Sequence, residues 1–208
     1  LGPKLPGQVR YTSSKDADPD NTYPLLAVST DGGNTWTYKV TSADLPSDAV
    51  KKGQRAILMV AGLSETMCLA AGAYTSTRDA GNGVNRYPLF VVSTDGGNTW
   101  KVIVPDLPSD AVTKNQNALL MAAGCNENFC LAAGKYRVMN DPGEGERGHE
   151  YPLVIVSADA GHTWTHKIVS KDLPGDAVTK HQMSELIPPS ICAGSVCVVS
   201  GVYTSAQD

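Results

Sequence analysis

Phenylalanine is nearly absent from this chain. Its 208 residues hold 2 Phe, while Gly numbers 20 and Pro 13. So many helix-breaking residues, with so few large aromatics, exclude long packed helices. Charge is also scarce, at 18% of residues against 41% hydrophobic, which excludes a disordered polar tail and leaves enough apolar side chain for a core. Basic residues do not dominate. The 17 Lys+Arg against 21 Asp+Glu give a net charge of −4, so a nucleic-acid partner is not expected. No apolar run approaches the ~18–20 residues of a membrane-spanning helix. The longest apolar-rich stretch, Ala56 to Gly62, has the length of a strand. No basic segment followed by an apolar one opens the chain, and Leu1 stands where Met would begin a reading frame. Either a leader has been removed or these residues are an internal piece of a longer protein.

What the chain does have is repetition. Tyr23-Pro24-Leu25 returns as Tyr87-Pro88-Leu89 and Tyr151-Pro152-Leu153, each 64 residues on. Ser29-Thr30-Asp31-Gly32-Gly33-Asn34-Thr35-Trp36 returns at Ser93–Trp100 and, with substitutions, at Ser157–Trp164. Asp-Leu-Pro followed by Asp-Ala-Val occurs at Asp44–Val50, Asp106–Val112 and Asp172–Val178. Leu69-Ala70-Ala71-Gly72 before Tyr74 matches Leu131–Gly134 before Tyr136 and Val198–Gly201 before Tyr203. Four landmarks in one order, three times, define an array of duplicated units. Its repeats run 23–86, 87–150 and 151–208, with 1–22 as the end of a preceding unit.

Each unit reads as four short strands. Tyr87–Ser93 and Thr99–Val104 flank a polar turn and form one hairpin; Ala118–Ala123 and Phe129–Tyr136 flank Glu127-Asn128 and form another. The Leu-Pro-Ser-Asp-Ala-Val segment links hairpins as a turn or a single helical turn. Four antiparallel strands repeated radially are the pattern of a β-propeller, so the expected class is all-β, with four-stranded blades. Two units are complete, roughly Gln54–Val104 and Gln116–Val169. Arg10-Tyr11-Thr12-Ser13 resembles the end of a second strand, and the C-terminus carries the first half of a further unit. Joined, the ends make about three blades, and propellers have about four to eight. An incomplete ring is therefore expected, closed by the remainder of a longer chain or by further copies.

The Ser-x-Asp-x-Gly-x-Thr-Trp element resembles the Asp-box, or bacterial neuraminidase repeat. The matching residues are Ser29, Asp31, Gly33, Thr35 and Trp36; Ser93, Asp95, Gly97, Thr99 and Trp100; and Ser157, Asp159, Gly161, Thr163 and Trp164. The resemblance covers nearly the whole chain. It implies a sialidase-like propeller with the box between the third and fourth strands, on the face opposite an active site. The residues suit a structural part. The Asp carboxylates can accept backbone N–H groups of their own turn, Gly supplies positive φ, and Trp can fold over the hairpin. A catalytic function is not expected of a residue repeated in every unit.

Sialidase chemistry requires three arginines for a carboxylate, a Tyr–Glu nucleophile pair and an Asp acid/base, with an Arg-x-Pro motif. Arg86-Tyr87-Pro88 superficially fits that motif, but Tyr-Pro recurs after Thr22 and Glu150, so it reads as a strand-entry signal rather than as the motif. Asp-box hydrolases of another kind need only two Asp, and Asp79 with Asp141 is one of many possible pairs. No catalytic residue is assigned, and no cofactor or metal. Asp16-x-Asp18-x-Asp20-Asn21 opens like a calcium loop but lacks its Gly and distal Glu. The four His, 149, 162, 166 and 181, have no ligand spacing.

Cys125 and Cys130 each flank a presumed two-residue turn, as do Cys192 and Cys197 around Gly194-Ser195. Facing each other as a non-hydrogen-bonded pair, they can close hairpin disulfides. Cys68 faces Leu63 and stays single. Five buried thiols and a loose zinc site are the alternatives. Disulfides would place the chain outside the cell or in a periplasm.

The function expected is a non-catalytic binding or scaffolding propeller with a protein or glycan partner. Alternatives are a fragment of a sialidase- or xyloglucanase-like hydrolase and a structural subunit of an envelope assembly. Contact is expected on the face of the second-to-third strand connections, 12–22, 75–86 and 137–150, where the repeats diverge. Arg86, Glu146 and Arg147 are the charged candidates there.

Overall fold

The computed structural model describes residues 10–11, 18, 20–40, 42–78, 85–138, 149–168, 172–178, 181–194 and 196–206. Asp16, Asp79, Asp141, Glu144, Glu146, Arg147 and Ser195 lie outside the described residues.

Every long element is a strand, and all strand pairing within the sheets is antiparallel. The chain opens with β1 (Arg10–Tyr11), β2 (Tyr23–Pro24), β3 (Leu26–Val28) and β4 (Thr37–Val40), followed by one 3-10 turn at Ser42–Asp44. Next come β5 (Ile57–Leu63), β6 (Cys68–Thr75), β7 (Arg86–Ser93) and β8 (Lys101–Ile103), which form a four-stranded sheet in chain order. The same order recurs in β9 (Leu119–Cys125), β10 (Cys130–Val138), β11 (His149–Ser157) and β12 (Thr165–Ile168). The chain ends on the hairpin β13 (Glu185–Ala193) and β14 (Val196–Val202). β1 pairs with β2, and β3 with β4. The fourth strands are shorter than the sequence suggests: β8 begins at Lys101 because Thr99 and Trp100 are held by the preceding turn.

The sheets stack, and alternate residues of each face fill the space between neighbours. Val40 and Leu26 meet Val91, Trp100 and Val102. Leu69, Ala71 and Phe90 meet Leu120, Ala132 and Ile155. Ala122, Leu131, Ala133 and Val154 meet Leu186, Cys192, Cys197 and Val199. Small side chains dominate because the sheets come close. A Cβ on Gly62 would fall 2.7 Å from the Cα of Gly124 in the next sheet.

The repeated Gly before Tyr has a different cause. β5 shifts register against β6 between Leu58 and Val60, and β9 and β10 shift at Ala133/Gly134. Each bulge presses a carbonyl into the space a side chain would fill. A Cβ on Gly72 would lie 1.8 Å from the Ile57 oxygen, and one on Gly134 1.9 Å from the Leu119 oxygen.

Neighbouring units are also clamped through backbone. Arg86 N–H donates to the Gln116 carbonyl at 2.8 Å, and its own carbonyl accepts from Ala118 at 3.0 Å. Thr22 makes the same two bonds with Gln54 and Ala56, and Glu150 with Gln182 and Ser184. The glutamines at these junctions are fully buried. Gln54 Nε2 donates to the Val50 and Thr75 carbonyls while its Oε1 accepts from Thr75 N–H, so one amide ties three segments together.

Candidate functional site: the strand-start face and the octapeptide turns

The three octapeptide turns share one geometry. Asp95 Oδ1 accepts from Ser93 Oγ at 2.7 Å and Thr99 N at 2.9 Å, and Oδ2 accepts from Thr99 Oγ1 at 2.6 Å. Ser93 Oγ accepts from Gly97 N, and Trp100 Nε1 donates to the Gly97 carbonyl. Asp31 and Asp159 repeat the set with Ser29, Thr35, Ser157 and Thr163. These bonds, those from the Thr partner above all, hold each Asp carboxyl at about 2, below the ordinary 3.8. Gly33, Gly97 and Gly161 have φ of 90°, 88° and 80°. Each carboxylate is thus consumed by its own turn. In the third copy His162 replaces Asn and loses the side-chain bond that Asn34 and Asn98 make to the Asp carbonyl; its backbone N–H bonds that carbonyl instead.

The tryptophans are not equivalent. Trp164 lies against Phe90 of the preceding sheet, with ring centroids 4.4 Å apart, and Trp100 packs with Val40 and Val91. Trp36 is 60% exposed, contrary to the expectation that it fills space. The ring reaches backward onto the preceding sheet, and no four-stranded sheet precedes Trp36 among the described residues.

The cysteines form two bridges. Cys125 bonds Cys130 and Cys192 bonds Cys197, with Cα atoms 4.2 and 4.1 Å apart. Asn126 N–H donates to the Phe129 carbonyl, which makes the cysteines the next, close cross-strand pair. Cys68 pairs with Leu63 across its hairpin and is a free thiol. Burial, with Asp95 nearby, pushes that thiol up.

At the opposite end of the sheets, where the second-to-third strand connections lie, Arg86 lines a cavity of about 160 Å³ with Thr22, Arg55, Ile57, Met59, Ala73 and Leu119. Two sheets and the start of a third contribute to it. Parallel bridges between Thr22 and Arg55, and between Arg86 and Asn117, fix the positions. Among the described residues the lining pairs two arginines with an apolar floor.

One unit later the corresponding place holds an ion network. Glu150, at the position of Arg86, pairs with Lys135 at 2.7 Å, lies 3.7 Å from Arg137 Nε and accepts from Asn117 Nδ2 at 3.0 Å. Lys135 also reaches Glu185 at 2.7 Å, tying β10 and β11 to β13. Burial resists ionisation of Glu150, but the bonds from Lys135 and Asn117 outweigh it and lower its pKa. Lys135 is raised, because Glu150 and Glu185 outweigh the same cost. Arg55 and this network were not singled out by the sequence; the only signal was that residues 22, 86 and 150 differ as Thr, Arg and Glu inside an otherwise regular repeat.

Among the described residues no group of three His, Cys, Asp or Glu could hold a metal, and no helix is long and apolar enough to cross a membrane.

No family model matches the chain. A sialidase of Micromonospora viridifaciens is 28% identical over 168 residues, which are 76% of this chain and 22% of the sialidase. The chain is similar in sequence to part of that sialidase. It spans about a fifth of the length of that curated relative. The solved structure of Trypanosoma rangeli sialidase in complex with sialic acid aligns with 98% of this chain and 26% of its own, at 11% identity and a TM-score of 0.33, too loose a likeness to bear on the fold. The similarity to a sialidase and the two disulfides are consistent with an extracellular setting.

Proposed function

We propose that this chain is a binding segment of an extracytoplasmic, sialidase-like β-propeller. Each four-stranded sheet is one blade, and the octapeptide turns are structural Asp-boxes. The segment engages an acidic group, carried by a glycan or a protein, at the strand-start face.

The observation that carries this reading is the pair of arginines lining one small cavity, Arg55 and Arg86, set there by the approach to β5 and the start of β7 in one sheet. Arginine suits a carboxylate because its planar donors match two oxygens at once. The apolar floor of Ile57, Met59 and Leu119 supplies contact for the carbon frame behind the charge. The longer connections around this face would add specificity.

Titration calorimetry with an acidic trisaccharide and its neutral counterpart tests the reading. Binding of the acidic sugar should exceed that of the neutral one, and Arg55→Gln and Arg86→Gln should each weaken it about tenfold. Equal binding of both sugars, or none, in wild type and variants would remove the proposal. A second reading, a segment of a glycoside hydrolase, is favoured by the similarity to a sialidase. Turnover of a fluorogenic sialoside by the purified chain would establish it.

A further inference from the structure

A cleft of about 410 Å³ opens beside the edge strands β8 and β12, where the two four-stranded sheets meet. Pro105 and Asp106 line it from the segment after β8, and Ile155, Trp164, Thr165 and His166 line it from the next sheet. It shares no residue with the cavity at Arg55 and Arg86. Its floor is apolar and fixed. Ile155 and Pro105 are buried, and Trp164 is half-buried. The indole Nε1 of Trp164 donates to the Gly161 carbonyl at 3.0 Å, and the ring rests on Phe90, so its tilt is set before any ligand arrives.

The rim is polar. Asp106 and Thr165 are exposed and His166 is half-buried. Among the described residues none of these three side chains makes a hydrogen bond or an ion pair. The preceding unit shows how unusual His166 is. Trp100-Lys101-Val102 corresponds to Trp164-Thr165-His166, and Val102 packs in one apolar cluster with Val40 and Leu26. An imidazole thus stands where an aliphatic side chain joins neighbouring sheets. A half-buried polar ring that gains no bond within the chain loses hydration without return, unless a ligand supplies the partner.

The chemistry of the lining selects the ligand. An ionised carboxylate only accepts, so the group facing Asp106 must donate. The Thr165 hydroxyl donates or accepts, and an imidazole offers a nitrogen of either kind. Several hydroxyls around one apolar face satisfy all three, and a pyranose ring has that form. Its C–H face covers the indole, and its hydroxyls reach the rim. Asp106 opposes an anionic ligand. A quaternary ammonium calls for a cage of aromatic rings, and here there is one. We propose that this cleft binds a neutral pyranose of a glycan, stacked on Trp164 and held through its hydroxyls by Asp106 and His166. The cleft differs in charge from the arginine cavity, so the two sites select different sugars, and this one stands whether or not Arg55 and Arg86 bind an acidic group.

An NMR titration of the isotope-labelled chain tests it, with methyl β-glucopyranoside, methyl β-galactopyranoside and methyl β-glucuronide as probes. A neutral glycoside at millimolar concentration should shift the Trp164 indole N–H and the Asp106 and His166 amides, and leave Arg55 and Arg86 unmoved. The glucuronide should bind here about tenfold more weakly, because its carboxylate meets Asp106. His166→Val, which brings in the valine of the preceding unit, and Asp106→Ala should each weaken the glycoside about tenfold while melting like wild type. Should either variant melt early, Thr165→Val replaces it and should weaken binding in the same direction. No response to either neutral glycoside, shifts confined to Arg55 and Arg86, equal binding of the glucuronide, or wild-type affinity in these variants would each overturn the proposal. So would choline shifting the same resonances at lower concentration than the sugars.

Discussion

The Tyr136 hydroxyl donates to the Asp110 carboxylate at 3.0 Å across 26 residues of chain. Tyr74 and Asp48 are joined in the same way, and so are Tyr203 and Asp176. Two of the recurring landmarks, Asp-Ala-Val and Gly-x-Tyr, are thus the two ends of one bond. It pins the linker between hairpins to the second strand. At Tyr74, burial and then the Asp48 carboxylate raise the phenol pKa, so it remains a donor at any physiological pH. Tyr136 is 1% exposed, and Tyr136→Phe leaves the ring packed while removing the donor. Urea unfolding should show a loss of about 1–1.5 kcal/mol with an unchanged m-value.

Acid should unfold the chain through its turns. Asp31, Asp95 and Asp159 have folded pKa values of about 2, below the ordinary 3.8. A depressed folded pKa means that the unfolded state binds protons first as pH falls. The stabilisation is therefore complete above the unfolded value and is lost between about pH 4 and pH 2. The melting temperature should be flat with respect to these groups near neutrality and drop through that window. In Asp95→Asn the drop should be shallower, since one of the three titrations is gone.

The same octapeptide should cost different amounts when its tryptophan is cut back. Trp164 rests on Phe90, so Trp164→Ala opens a void between sheets and should destabilise by about 2–4 kcal/mol. Trp36→Ala removes a ring that touches no preceding sheet and should cost under about 1 kcal/mol. Equal losses in denaturant titrations would mean that the tryptophan acts within its own hairpin.

Under oxidising conditions peptide mapping should recover the Cys125–Cys130 and Cys192–Cys197 links and one alkylatable thiol at Cys68. Because burial disfavours its thiolate, Cys68 should alkylate more slowly in the native chain than after unfolding. Five reactive thiols in the native protein would contradict the bridges.

Much of this architecture is visible in the amino acids because it is built from local rules. The hairpins announce themselves by alternating apolar residues around polar turns, and the octapeptide closes on itself within eight residues. The cross-strand cysteines follow from a two-residue turn. What was not legible depends on where sheets meet. Gln54, Gln116 and Gln182 look like ordinary linker residues, yet each is buried; its side chain bonds the second strand of its own unit, and its carbonyl accepts a bond from the unit before. Arg55 gains meaning only because the β5–β8 sheet sets it near Arg86. Trp36 reads like Trp100 in sequence, and the difference between them lies wholly in the neighbour.

The Arg137–Glu150 region supplies the last prediction. The connection between β10 and β11 spans residues 139–148, beyond the described part, and is bounded by Val138 and His149, which pair across the sheet. The flanking Arg137 and Glu150 take part in the ion network with Lys135, so a deletion must leave them in place. Replacing 139–148 with a short Gly/Ser link therefore tests the connection and not the sheet. If the strand-start face binds the partner, the replacement should weaken binding while unfolding stays cooperative. Lys135→Met provides the contrast. It removes the cation that joins Glu150 to Glu185, leaving Glu150 with Arg137 alone at a nearly buried site, and should cost about 2–3 kcal/mol of stability, with little direct effect on affinity. Binding that survives the replacement but fails when the turn at Gly96-Gly97 is altered would move the site to the opposite end of the sheets.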